Sequence, residues 1–156
     1  MKKLRIYVDT SVLGGCFDSE FERWSNSLLE AFRRKQYVPV LSGVTSAEVE
    51  EAPEQVKDLH AELISGGAEM LLVSSDAMEL LAKYEARKIL GLKFRNDMLH
   101  IALATVTDAD VLVSWNFRHI VRLDRIRLFN AINIELGYKA LTICSPREVV
   151  PDETNE

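Results

Sequence analysis

The sequence predicts an α/β domain of three layers, in which helices cover both faces of a short parallel sheet. Compact apolar runs at residues 4–8, 37–41 and 111–114 have the length and composition of buried strands. Amphipathic stretches with helical spacing separate them, and this alternation favours a parallel sheet. A chain of 156 residues with 47% hydrophobic content is expected to form one core. We therefore predict one domain over residues 1–150 and a flexible tail over residues 151–156.

In the first half of the chain, two strands alternate with three predicted helices, which lie at residues 19–35, 45–51 and 53–66. Ser19 and Glu22 have the spacing of a capping box and begin the first helix. Thr45 has the same spacing from a glutamate and is expected to cap the second helix. Two glycines end the third helix, and residues 70–73 indicate a brief extended segment.

The second half continues the alternation, with helices at residues 75–91 and 96–107, strands at residues 111–114 and 141–144, and a basic, partly helical stretch at residues 117–138. Residues 96–107 are apolar nearly all round, so this helix is expected to be largely buried. Ser145, Pro146 and Glu148 supply a cap, a proline at the first helical position and a capping glutamate. This pattern predicts a final helical turn.

Composition limits the class of protein. Cys16 and Cys144 are isolated and form no metal-ligand pair in sequence, so we expect free thiols and a cytoplasmic location. The formal net charge of −5 argues against broad nonspecific adhesion to nucleic acid or anionic lipid. The first apolar run is too short for a secretory signal, and no stretch has the length of a membrane span.

Four polar residues beside the apolar segments, Asp9, Glu48, Asp97 and Asn116, are candidates for a site. Ligands of open α/β sheets bind beyond the carboxyl ends of the strands, where Asp9 and Asn116 follow their strands. Asp110 precedes its strand and, at about 3.3 Å per residue, lies roughly 20 Å from Asn116, so it is a poor ligand. The three carboxylates would repel one another at one sheet edge unless a divalent cation lay between them, which predicts a metal site.

Three motifs occur in order along the chain: YVDTS at residues 7–11, TSAE at residues 45–48 and NDMLHIALA at residues 96–104, followed by a strand that leads to Asn116. This ordered set resembles the PIN-domain family. Many PIN domains have a fourth acidic residue at that last position. The resemblance extends over nearly the whole chain and implies a three-layer α/β/α PIN-like fold.

The resemblance also implies a function. PIN domains are metal-dependent nucleases, and their single-domain members include toxin ribonucleases of the VapC type, each held inactive by a partner antitoxin. Oxygen ligands suit Mg²⁺ or Mn²⁺. Asp9 and Asp97 would hold the ion, and Glu48 would bind it through water or orient a water, with Asn116 as an accessory. We expect RNA hydrolysis to a 5′-phosphate and a 3′-hydroxyl, a cognate antitoxin as partner, and a homodimer as one form of the protein.

Other interpretations remain open at this stage. Asn116 lacks the negative charge of a fourth acid, which is compatible with one well-held ion, slower cleavage, or a degenerate PIN-like module that binds RNA or protein without cutting. Asp9, Glu48, Asp97 and Asn116 also have purely structural explanations as caps, first-turn acids or turn residues. A phosphatase of the dehalogenase-like kind, with Asp9 as nucleophile, is disfavoured because Ser11 stands where such enzymes typically have aspartate.

Phosphates that approach an acidic site need nearby positive charge. Arg95 precedes Asp97, and Arg118 is the first of several arginines after Asn116, so we predict both arginines as RNA contacts. Thr10 and Ser11 are expected to bind a carboxylate or a phosphate oxygen.

The histidines and tryptophans are assigned structural roles by the sequence. His60, His100 and His119 form no recognisable cluster, so they are expected to be surface or packing residues. Trp24 and Trp115 are expected in the core or an interface, because no aromatic series surrounds them in sequence.

Overall fold

The computed structural model describes residues 2–151, and its centre is a five-stranded, all-parallel sheet with helices on both faces. The strands are β1 (Arg5–Val8), β2 (Val38–Ser42), β3 (Glu69–Leu71), β4 (Val111–Val113) and β5 (Thr142–Cys144). They lie in the order β3-β2-β1-β4-β5, so β1 is central, between β2 and β4. The predicted three-layer α/β class is confirmed. Of the tail predicted at residues 151–156, residues 152–156 lie outside the described residues.

Seven helices connect the strands: α1 (Thr10–Gly15), α2 (Glu22–Arg33), α3 (Gly43–Glu50), α4 (Glu54–Ser65), α5 (Ser75–Ala86), α6 (Arg95–Val106) and α7 (Leu123–Glu135). Short 3₁₀ turns at Leu92–Phe94 and Pro146–Glu148 complete the regular structure of the described residues. None of the helices in this part of the chain is both long enough and apolar enough to cross a membrane.

The sheet separates two hydrophobic cores. Successive side chains of a strand point to opposite faces, so Tyr7 joins the core under α5, α6 and α7, whereas Ile6 and Val8 join the core under α1, α2 and α4. The predicted burial of the sixth helix is confirmed, because every residue of α6 from Met98 to Thr105 is buried. The partly exposed first turn of α6, which carries Asp97, is therefore anchored by the buried residues that follow it.

Local capping differs from the sequence prediction at two helices. Ser19 and Glu22 form no capping box, since α2 begins after Phe21 without a side-chain cap. α3 begins earlier than expected, because Ser42 caps it by accepting the N–H of Val44, and Thr45 lies buried inside the helix. The capping box of Ser145 and Glu148 is present as predicted.

α1 was not predicted from the sequence. It has only six residues, of which two are glycines, so helix propensity does not indicate it. It turns the chain directly after Asp9, and its last residue, Gly15, packs against the side chains of Ser25 and Trp115. Tertiary contact therefore stabilises this helix where local sequence does not.

The two cysteines are free thiols that belong to the same hydrophobic core, with Cys16 buried in it and Cys144 packed against it. Burial raises the pKa of Cys16 and of Cys144 to about 11. Both thiols are therefore neutral near pH 7 and poor nucleophiles.

Candidate metal centre

Two of the candidate residues, Asp9 and Glu48, come together with His100 beyond the carboxyl ends of the central strands. Asp97 lies near enough to interact electrostatically with Asp9. Asp9 follows β1, Glu48 lies on α3 after β2, and Asp97 lies in the first turn of α6. One ligand atom from each of Asp9, Glu48 and His100 lies within 4.8 Å of the other two. Asp110 lies at the opposite end of the sheet, as predicted, where its carboxylate accepts the N–H of Arg5 at the start of β1.

Asp9 is buried and held through one of its two carboxylate oxygens. Its Oδ2 accepts hydrogen bonds from the hydroxyls of Ser11 and Ser114, each at 2.7 Å. Its Oδ1 accepts no hydrogen bond from the described residues, and the Nε2 atom of His100 lies 3.4 Å from it. The serines therefore orient the carboxylate and leave Oδ1 to serve as a ligand.

Glu48 is anchored by neighbours from two other elements. Its Oε1 accepts the hydroxyl of Thr10 at 2.6 Å and lies 2.8 Å from His100 Nε2. Burial by itself raises the pKa of Glu48, but its hydrogen bonds with His100 and Thr10 and the charge of His100 outweigh burial and lower it. Glu48 is therefore an anion near pH 7.

His100 links the acidic cluster to the core beneath it. The ring is fully buried, its Nδ1 atom lies 2.7 Å from the hydroxyl of Tyr7, and that hydroxyl lies 2.7 Å from the hydroxyl of Ser42. Because carboxylates only accept, Nε2 carries a proton towards Glu48. Burial by itself lowers the pKa of His100, but Tyr7, Glu48 and Asp9 raise it well above its ordinary value.

Asp97 is held through Oδ2 by two residues that follow β4. The amide Nδ2 of Asn116 donates to this oxygen at 3.3 Å, and Nδ1 of His119 lies 3.1 Å from it. Burial raises the pKa of Asp97 and the charge of Asp9 raises it further, against the opposing effect of His119. This repulsion between the two aspartates is what a bound cation would relieve.

Asn116 faces Asp97 with its nitrogen, because its oxygen is engaged elsewhere. The backbone N–H groups of Arg118 and His119 donate to Asn116 Oδ1 at 3.1 and 2.9 Å. A backbone N–H can only donate, so these contacts fix which end of the amide faces Asp97. The Oδ1 atom of Asn116, predicted as an accessory group of the metal site, thus stabilises a turn instead.

The segment between β4 and Asn116 is anchored by an aromatic cluster of Phe21, Trp24, Trp115 and Phe117. Trp115 stacks on Phe21 with ring centroids 4.2 Å apart, and its indole N–H donates to Ser25 at 2.8 Å. With Trp115 only 8% exposed, its predicted core position is confirmed. The reason given from sequence was wrong, because aromatic residues distant in sequence surround it in space.

The remaining predicted contacts divide into two groups. Thr10 and Ser11 both donate to carboxylates, so in this structure they orient acids. Arg95 and Arg118 are exposed, and Arg95 lies 3.6 Å from the carboxylate of Glu85. Arg118 lies beside Asn116, next to the acidic cluster, with its side chain open to solvent.

His100 and His119 were missed as site residues. Each lies three positions after a candidate residue, His100 after Asp97 and His119 after Asn116. On α6 this spacing places Asp97 and His100 on one face, which is the signal that could have found His100. His119 stands in a loop, where spacing carries no such information.

The donor set fits a divalent cation. Three carboxylates supply the hard oxygen ligands that Mg²⁺ and Mn²⁺ prefer, and the repulsion between Asp9 and Asp97 favours a cation between them. His100 is hydrogen-bonded to Glu48 through Nε2 and to the hydroxyl of Tyr7 through Nδ1, so in this structure neither ring nitrogen offers a free lone pair to an ion. The arrangement can therefore hold a hard metal ion at the edge of the sheet.

Comparison with known proteins bears on the fold. Among solved structures, the chain is similar to a chain in the crystal structure of VapBC2 from Rickettsia felis, in which VapBC2 is bound to a DNA fragment from its own promoter. The match has a TM-score of 0.59 and 16% sequence identity, and it covers 90% of this chain and 97% of that chain. The chain has a PIN-like α/β fold. No protein-family model and no curated protein matches the sequence, and at this identity the likeness shows the fold alone.

Proposed function

We propose that this protein is a metal-dependent endoribonuclease that hydrolyses RNA phosphodiester bonds with Mg²⁺ or Mn²⁺. The observation that supports this most is the cluster of Asp9, Glu48 and His100 within 4.8 Å at the carboxyl edge of a parallel sheet. Asp97 lies close enough for the charge of Asp9 to raise the pKa of Asp97. These acids come from separate elements and are each oriented by dedicated hydrogen-bond donors. Purely structural capping does not require three acids to meet in this way.

The residues of the chain have distinct roles in this proposal. Asp9 and Asp97 hold the ion, and Glu48 binds it through water or orients the attacking water. When bound, the ion supplies Lewis acidity and lowers the pKa of water. The carboxylates of Asp9 and Glu48 are kept in place by the hydroxyls of Ser11, Ser114 and Thr10. Because these hydrogen bonds already exist, the carboxylates need not reorient when an ion binds. Arg118 offers an exposed cation to a phosphate at the rim.

The biological setting that we propose is a toxin of a type II toxin–antitoxin pair in the cytoplasm. Its fold is that of a chain in a VapBC2 complex, which supports a cognate antitoxin as partner. The antitoxin would suppress the nuclease by covering the acidic cluster. Co-purification with the product of an adjacent gene would test this setting separately from the chemistry.

The chemistry is tested by Mn²⁺ calorimetry beside cleavage of a mixed single-stranded RNA pool. Asp9→Asn is expected to weaken Mn²⁺ binding by roughly 10-fold or more and to slow cleavage by about 100-fold or more. Asp110→Asn is the matched control, since Asp110 is also an aspartate beside a central strand but lies at the other end of the sheet. Failure of the wild type to bind Mn²⁺ would refute the metal centre.

A second candidate is a degenerate PIN-like module that binds RNA or protein without cleavage. Asn116 favours it, because the fourth position carries no negative charge and its oxygen is engaged with backbone N–H groups. This candidate predicts Mn²⁺ binding that Asp9→Asn weakens, together with intact RNA in every lane of the cleavage assay.

A further inference from the structure

The two donors on Asp97 form a clamp, defined here as Asn116 Nδ2 and His119 Nδ1. Both contact the same oxygen, Oδ2, at 3.3 and 3.1 Å. Among the described residues no hydrogen bond reaches the other oxygen, Oδ1. Asp9 has the same arrangement, with two donors on Oδ2 and its Oδ1 left without a hydrogen bond. Both aspartates are thus held through Oδ2, whereas their Oδ1 atoms accept no hydrogen bond from the described residues; His100 Nε2 lies 3.4 Å from the Oδ1 atom of Asp9.

The clamp is itself rigid. Asn116 cannot turn over, because its oxygen accepts the backbone N–H groups of Arg118 and His119. The ring of His119 packs against Phe94, with centroids 3.8 Å apart, and Phe94 directly precedes α6. The residues that hold Asp97 are therefore fixed by backbone and aromatic contacts before any ligand arrives.

We infer that His119, together with Asn116, is a positioning residue that fixes Asp97 through Oδ2 and presents Oδ1 to a divalent ion. This inference rests on the proposed function and deepens it, because it assigns a role to a residue outside the acidic set. Partners of this kind orient a ligand without contacting the metal, and their loss typically costs about 10–100-fold in metal affinity. At the position where many PIN domains have a fourth acidic residue, this chain has Asn116, which donates a hydrogen bond to Asp97 instead of adding a negative charge.

The test uses three substitutions of His119 that differ in where they place a donor. His119→Asn puts an amide nitrogen close to the position of Nδ1, whereas His119→Gln puts it close to that of Nε2 and His119→Ala has none. His60→Asn is the control for loss of a histidine, since His60 lies on α4 with its Nε2 3.5 Å from the hydroxyl of Ser46. Each variant is measured as full-length protein for thermal unfolding, Mn²⁺ affinity by calorimetry, and kcat and KM on RNA.

The expected result is a Kd for Mn²⁺ raised about 10–100-fold in His119→Ala and His119→Gln, largely restored in His119→Asn, and unchanged in His60→Asn. In the cleavage assay kcat should follow the same order at fixed Mn²⁺, with KM for RNA little changed. A purely structural role would lower the unfolding temperature of the Asn and Gln variants equally and would not separate their Mn²⁺ affinities.

The outcomes distinguish this inference from the proposed function. Wild-type Mn²⁺ affinity in all three His119 variants, or equal losses in the Asn and Gln variants, would overturn the clamp while leaving the nuclease intact. Mn²⁺ binding that follows the expected order without RNA cleavage would support the clamp and refute the nuclease. A wild type that binds no Mn²⁺ would overturn both.

Discussion

Replacing Gly15 by alanine is expected to destabilise the protein strongly, although alanine is the better helix former. A Cβ atom at Gly15 would lie 2.6 Å from the hydroxyl oxygen of Ser25 and 2.6 Å from the indole nitrogen of Trp115. These two atoms hydrogen-bond each other at 2.8 Å, and Ser25 also donates to the carbonyl of Val12 at 2.8 Å. The methyl group would therefore separate a buried donor from its acceptor.

The magnitude follows from two opposing effects. Overpacking costs about 1–3 kcal/mol and an unpaired buried indole N–H costs about 1–3 kcal/mol, whereas alanine in place of glycine gains roughly 1 kcal/mol of helix propensity. The net loss for Gly15→Ala is therefore about 1–5 kcal/mol of unfolding free energy. At about 2–4 °C per kcal/mol for a chain of this size, the unfolding temperature should fall by roughly 2–20 °C.

Gly14→Ala is the matched control on the same helix, because a Cβ atom at Gly14 would meet no atom within 4 Å. It should leave stability unchanged or raise it by up to about 1 kcal/mol. Urea unfolding followed by circular dichroism and tryptophan fluorescence measures both variants. Equal stability of the two alanine variants would refute the reasoning, since it would mean that the contact among Gly15, Ser25 and Trp115 does not constrain α1.

Three further predictions concern the site. Tyr7→Phe removes a hydroxyl that lies 2.7 Å from both His100 and Ser42, and should cost roughly 1–3 kcal/mol in urea unfolding; an unchanged urea midpoint would contradict this hydrogen-bonded chain. The pKa of His100 in the folded protein is raised above its unfolded value of about 6.5. The stability that this shift contributes is complete below the unfolded pKa and is lost as the pH rises through the folded pKa. Metal-free wild type should therefore lose stability relative to His100→Gln as the pH rises above about 6.5; parallel urea midpoints would refute this. Asn116→Asp places a carboxylate against Asp97 and should lower the unfolding free energy of the metal-free protein by about 1 kcal/mol. Saturating Mn²⁺ should restore the unfolding temperature, and a loss that Mn²⁺ does not restore would argue against a cation beside Asp97.

The sheet could be predicted because its signals are local. Short apolar runs ended by polar residues mark β1, β2 and β4, and the carboxyl-edge rule then separates Asp9 from Asp110 without any coordinates. The burial of α6 could also be predicted, since its residues are apolar on every side. These features depend only on the residue types within a short segment, and those are known from the sequence itself.

The contacts within the site could not be predicted, because they depend on how elements pack. The spacing of Asp97 and His100 on α6 indicates that they share a face, but it does not show that the His100 ring contacts Glu48 of another helix. The orientation of the Asn116 amide depends on the backbone of the turn that follows it. α1 depends on the fit of Gly15 against Trp115, so its helix propensity gives no sign of it.

The parallel topology also affects when the site can exist during synthesis. The hydrogen bond from Ser114 to Asp9 joins residues 105 positions apart in sequence, and both donors on Asp97 follow β4. When Asp9 and Glu48 have emerged from the ribosome, these donors have not yet been synthesised, and they reach the site only after β4 pairs with β1. Under the proposed function, cleavage would therefore be confined to molecules whose central strands are already paired.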